Sequence, residues 1–85
     1  MATQGVSEKA AVVVRKALEE RSRTQEWLAA ASGIPMRTLA RRLHRTNPSG
    51  MSLDELSAIA TALETDIVTI LVAAREARSV LAVAS

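Results

Sequence analysis

Apolar residues recur along this chain at steps of three and four, the spacing that puts side chains on one face of an α-helix. Ala10, Val13, Val14, Ala17 and Leu18 form the first such stripe, and Lys9, Arg15, Lys16, Glu19 and Glu20 take the other sides. A helix capped by Ser7 and running to about Arg21 follows, with its mixed charges read as solvated surface. Thr24 offers a second cap, ahead of Gln25, Glu26, Trp27 and Leu28, and Gly33 ends that short helix because glycine reaches the left-handed conformation without a Cβ penalty. Pro35, tolerated in a first helical turn, opens a third helix extending to His44. Counted at about 100° per residue, Met36, Leu39 and Leu43 share one side of it, and Arg37, Arg41, His44 and Arg45 the other.

After a turn-rich link, Arg45 to Met51, the run Ser52-Leu-Asp-Glu55 is a capping box in which hydroxyl and carboxylate satisfy each other's backbone N–H groups. Leu56, Ile59, Ala60 and Leu63 then stripe a fourth helix. Asp66 caps a last helix of about 67–83, striped by Ile67, Ile70, Leu71, Ala74, Ala77 and Leu81. Val68, Val72, Val80 and Val83 add apolar surface beyond that stripe, either for wider packing on the first helix or for self-association. We expect the latter, a homodimer joined through Val72, Val80, Leu81 and Val83.

Composition agrees with a single all-α domain over 1–85: 48% apolar residues, one aromatic and two prolines. So small a domain buries little more than about 60% of its unfolded surface, so oligomerisation would add stability. With no cysteine and one histidine, thiolate catalysis, disulfides and a zinc site find no ligands or nucleophile, so neither an enzyme nor a cofactor or small-molecule ligand is expected. No secretory signal is evident at the start, and the most apolar run, 67–74, is far short of the ~20 residues of a membrane span, which predicts a soluble cytoplasmic protein with no membrane partner.

Charge changes the picture more. The whole chain is only +2, yet from Trp27 to Leu53 there are four arginines and no carboxylate. The positive excess is confined to the third helix and the loop after it, as in a surface that meets a polyanion. A short helix, a tight turn and a basic second helix make a helix-turn-helix over about 24–44, the arrangement that places a helix in the major groove of duplex DNA. Trp27 reads either as a cap on the core or as a contact to DNA or a partner. Single-stranded nucleic acid is a weaker target, since its readers offer several stacking aromatics and this chain has one.

From about Thr24 to Leu71 the chain resembles the lambda-type Cro/repressor helix-turn-helix family. The likeness is carried by Thr-Gln-Glu-x-Leu-Ala at 24–29, Gly33-Ile34, Thr-Leu-x-Arg at 38–41, and Ser-Leu-x-Glu-Leu with Ile-Ala-x-Ala-Leu across 52–63. It implies a five-helix bundle, here with an extended C-terminal helix, and a double-stranded DNA operator bound by a dimer in transcription regulation, most simply as a repressor. The resemblance places Met36, Arg37 and Arg41 at base edges, with Met36 either a core staple or a contact to a thymine methyl. It places Gln25, and with it Thr24, at the DNA backbone, joined there by Thr38, Arg42, His44, Arg45 and Asn47. Three positions depart from the family pattern: Pro35 replaces a serine or threonine cap, Arg42 an apolar residue, and Glu64 a helix-ending glycine. Rival readings are an antitoxin-type autorepressor whose last helix holds a protein partner, and a protein-interaction module whose arginines meet an acidic surface.

Overall fold

The computed structural model describes the backbone of residues 6–46 and 48–84 and the side chains of residues 8–46 and 48–76. Five helices follow in order: α1 (Val6–Glu20), α2 (Gln25–Ser32), α3 (Met36–Arg42), α4 (Leu53–Ala62) and α5 (Ile67–Ala84), with no strand among the described residues. The all-α, five-helix architecture is the one the periodicity predicts. Helix α1 begins one residue before Ser7, which therefore sits in the first turn instead of capping it.

Leucine, isoleucine, valine and alanine from α1 to α4 close one core: Ala11, Val14 and Leu18, then Leu28, Ile34, Leu39, Leu43, Ile59 and Leu63. Removing those aliphatic groups from water is the main favourable term holding such short helices together. A second cluster joins α1, α4 and α5 through Ala10, Leu56, Ala60 and Ile70, flanked by Val13, Ile67 and Leu71. Helix α5 packs mainly along α1, and α2 lies against α3 and α4. The chain turns by 100° between α4 and α5. Among the described residues no single helix is long and apolar enough to cross a membrane.

Two sides of α1 differ from the solvated surface expected of them. Lys9 is buried, and Arg15 reaches across to the end of α3. The valines beyond the α5 stripe are not absorbed by packing within the chain: Val68 and Val72 remain exposed. Val80, Leu81 and Val83 lie outside the described side chains.

Helix ends are closed in two ways. Thr24, Ser52 and Asp66 each accept a hydrogen bond from a backbone N–H three residues on, satisfying donors that the first turn leaves open. Gly33 ends α2 at φ +80°, its N–H donating to the Ala29 carbonyl. Helices α1 and α4 end without glycine. At α1 the Ser22 N–H donates to Glu19 O and the Arg23 N–H to Leu18 O; at α4 Glu64 donates to Thr61 O and Thr65 to Ala60 O. This paired pattern demands a left-handed residue just past the helix. Ser22 (φ 54°) and Glu64 (φ 58°) supply it at a steric cost that glycine would avoid.

Candidate nucleic-acid interface

Helices α2 and α3 are joined by only Gly33, Ile34 and Pro35. The left-handed Gly33 reverses the chain, buried Ile34 pins the turn to the core, and Pro35 enters α3 without a side-chain cap. At the start of α2 the Thr24 hydroxyl accepts from Trp27 N at 3.0 Å, which leaves its own O–H proton free to donate outward. Gln25 beside it is half-buried. Trp27 packs against the first core cluster, and the Arg23 guanidinium lies over its ring at 4.8 Å from the centroid. The tryptophan is therefore a cap on the core, and its outer face is occupied by a cation held by the ring quadrupole.

Helix α3 presents the division the sequence predicts. Leu39 and Leu43 are buried, whereas Arg37 and Arg41, one turn apart, are exposed. Met36 stands at the border with 37% of its surface exposed, and Thr38 is half-buried. Among the described residues no ion pair or hydrogen bond holds the Arg37, Arg41 or Arg45 guanidinium. Two unneutralised guanidiniums four residues apart on an exposed helix face can each make two parallel hydrogen bonds to a guanine edge. Helix α3 ends at Arg42, two residues short of the predicted His44, so His44 and Arg45 belong to the loop after it and not to its polar face. The His44 ring accepts the Thr46 N–H through Nδ1 at 3.3 Å, and both side chains are exposed. Asn47 lies outside the described residues.

Arg42, expected at the DNA backbone, has partners within the fold. Its Nε donates to Glu55 Oε1 at 2.9 Å, its Nη2 to Oε2 at 3.3 Å, and its Nη1 to Ser49 Oγ at 2.6 Å. Three of the five N–H groups of this guanidinium are thereby held by a carboxylate and a hydroxyl within the fold. The signal was in the helical geometry: Arg42 falls about 60° from Leu39 around α3, while Arg37 and Arg41 fall about 160° away on either side. Arg42 thus borders the packed face, where it meets the capping box of α4. Glu55 serves both, since its Oε1 also accepts the Ser52 N–H at 3.0 Å. The Arg42 guanidinium first, and the Ser52 N–H second, hold the Glu55 carboxyl below its ordinary range.

Arg15, expected on the solvated surface of the first helix, is also engaged within the fold. Its Nη1 donates to the Leu43 carbonyl at 3.1 Å and the His44 carbonyl at 3.2 Å. These carbonyls belong to the C-cap of α3 and the first residue of the loop beyond it, near the negative pole of the helix dipole. Nothing local in the sequence marks this contact, because 28 residues separate Arg15 from Leu43.

Comparison with known proteins agrees with this geometry. A search of the curated proteins finds no match. Among solved structures, the chain is similar to the clp gene regulator ClgR from Corynebacterium glutamicum, with a TM-score of 0.82 and 19% identity over 96% of this chain and 85% of that one. That likeness establishes the fold. Residues 14–75 match the model of the Cro/C1-type helix-turn-helix DNA-binding domain. The matched segment runs from the middle of α1 into α5 and includes both helices of the motif, the turn between them and the exposed arginines. The chain belongs to the Cro/C1-type helix-turn-helix DNA-binding domain family and, by that membership, is a DNA-binding transcription regulator.

Proposed function

We propose that this protein is a Cro-like repressor that binds a pseudo-palindromic operator as a homodimer, each subunit laying α3 in a major groove. The observation that carries the reading is the pair Arg37 and Arg41, exposed and unpaired on the face of α3 opposite buried Leu39. In it, Arg37 and Arg41 read guanine edges and Met36, half out of the core, meets a neighbouring base. Thr24, Gln25, Thr38, His44, Arg45 and Asn47 hold phosphates and fix the register. Arg42 leaves that set because its guanidinium is bound to Glu55 and Ser49. Repression then requires occupancy alone.

The dimer rests on α5. Val68 and Val72, one turn apart on one face, are exposed, and aliphatic side chains left in water on a small domain favour burial against a second copy. A regulator whose α5 holds a different protein would use the same valines. Sedimentation of the chain alone separates the two, since only the homodimer doubles in mass.

Selection from a random pool of duplexes tests the whole reading. The expected result is a pseudo-palindrome whose half-sites lie about one helical turn, ~34 Å, apart, bound with an affinity that falls steeply with salt. Failure to retain any duplex at low salt would exclude DNA as the partner of the arginine face and favour an acidic protein instead.

A further inference from the structure

The last turn of α3 is held from three directions by contacts that leave its reading face untouched. We propose that Arg42 and Arg15 are positioning residues for sequence reading: with Glu55 and Ser49 they fix the roll of α3 without touching DNA. The proposal rests on α3 being the reading helix.

Helix α3 has seven residues, begins at a proline with no side-chain cap, and is too short to persist on its own. Leu39 and Leu43 bury one side and set its distance from the core. Their burial fixes which face of α3 meets the core, and the angle within that face is left to contacts that have a direction. The directional contacts from other elements that the described residues make with α3 lie at its C-terminal end. Arg42 forks onto Glu55 of α4 and onto Ser49 of the loop, the Ser49 N–H donates to the Arg41 carbonyl at 3.0 Å, and Arg15 of α1 holds the Leu43 and His44 carbonyls.

Glu55 ties this clamp to the capping box, so the start of α4 and the end of α3 share one carboxylate. The Arg42 and Glu55 side chains are 25% and 21% exposed, buried enough for a planar two-point contact to hold direction without the full desolvation cost of a core ion pair. Two-point contacts from Arg37 and Arg41 to base edges depend on the angle at which each guanidinium arrives, whereas contacts to phosphates through long side chains tolerate a change of roll. Loosening the clamp therefore lowers discrimination between sequences more than it lowers binding to DNA in general.

Glu55→Gln isolates this effect, because glutamine at the same position still completes a capping box while losing the charge that holds Arg42. Wild type, Glu55→Gln, Arg42→Met and Arg15→Met are compared on the duplex recovered by selection and on a mixed-sequence pool, over a range of salt, below their melting temperatures. In all three variants the preference for the selected duplex is expected to fall about tenfold, the scale of coupling within one hydrogen-bond network, with mixed-sequence affinity and salt slope as in wild type.

The opposite pattern overturns the proposal. If Arg42 touches a phosphate, Arg42→Met lowers the salt slope by about one, and Glu55→Gln, by releasing Arg42, binds both duplexes more tightly. Equal losses on both duplexes that track the melting temperature would also overturn it, reducing the clamp to general stability. A readout without DNA keeps the clamp separate from the functional reading. In the free protein the Arg42 Nε–H resonance should be protected from exchange and lose that protection in Glu55→Gln; an unprotected wild-type Nε–H refutes the clamp whether or not the chain binds DNA.

Discussion

Exchanging glycine and non-glycine at two helix ends gives opposite effects of calculable size. Glu64 sits just past α4 at φ 58°, where the paired N–H bonds of Glu64 and Thr65 require a left-handed residue. Its side chain is exposed and takes no ion pair among the described residues, so replacing it removes strain and little else. The left-handed conformation costs an L-residue about 1–2 kcal/mol, and glycine gives back about 0.4–1 kcal/mol through the extra freedom of the unfolded chain. Glu64→Gly is therefore expected to stabilise by about 0.5–1 kcal/mol, or roughly 3–6 °C in Tm for a domain of this length.

Gly33→Ala runs the other way. Gly33 has φ +80°, and a Cβ placed there would meet nothing within 4 Å, so its cost is conformational and not a clash. The same two terms with reversed sign predict a loss of about 0.5–1 kcal/mol. Thermal unfolding followed by helical circular dichroism measures both, at one fixed protein concentration because a dimer makes Tm concentration-dependent. Shifts of the same sign in the two variants, or a Glu64→Gly that melts lower than wild type, would refute the reasoning.

Arg41→Ala should cost roughly 1–3 kcal/mol on the selected duplex and relax preference at one base pair; a uniform loss on every duplex would make Arg41 a phosphate contact. Val72→Asp should shift the sedimenting species toward monomer while leaving the helical spectrum intact, and an unchanged dimer would move the interface away from α5. The carboxyl of Glu55, held below its ordinary 4.5 by Arg42 and Ser52, contributes stability that is present above that value and lost as pH falls through the lowered folded value. Denaturant titrations should accordingly show a steeper acid loss for wild type than for Glu55→Gln; identical slopes would mean that the pair adds nothing to folding.

What could be read from the chain itself follows from how local each signal is. The capping residues Thr24, Ser52 and Asp66, the turn at Gly33, the stripe of α4 and the described part of the α5 stripe up to Ala74 rest on neighbours within four positions, where helical geometry alone decides which groups meet. The opposition of Arg37 and Arg41 to Leu39 is of the same kind, and the structure places them so. Trp27 was open between core and partner because its answer lies on other elements; it packs on the core formed by α1 to α4 with Arg23 over its ring.

The ends of α1 and α4 carried no glycine, so their left-handed residues at Ser22 and Glu64 left no compositional mark beyond the missing glycine itself. The sequence by itself determined where α2, α4 and α5 begin, which face of α3 is apolar, and that positive charge gathers on α3 and the loop after it, because those properties are set over a single turn. Only the tertiary structure decided which of those charges are available. Arg15 and Arg42 are spent on the end of α3 because residues 28 and 13 positions away come within hydrogen-bond reach once the core closes; helical geometry puts Arg42 beside the packed face but does not name its partner, and nothing local marks that of Arg15.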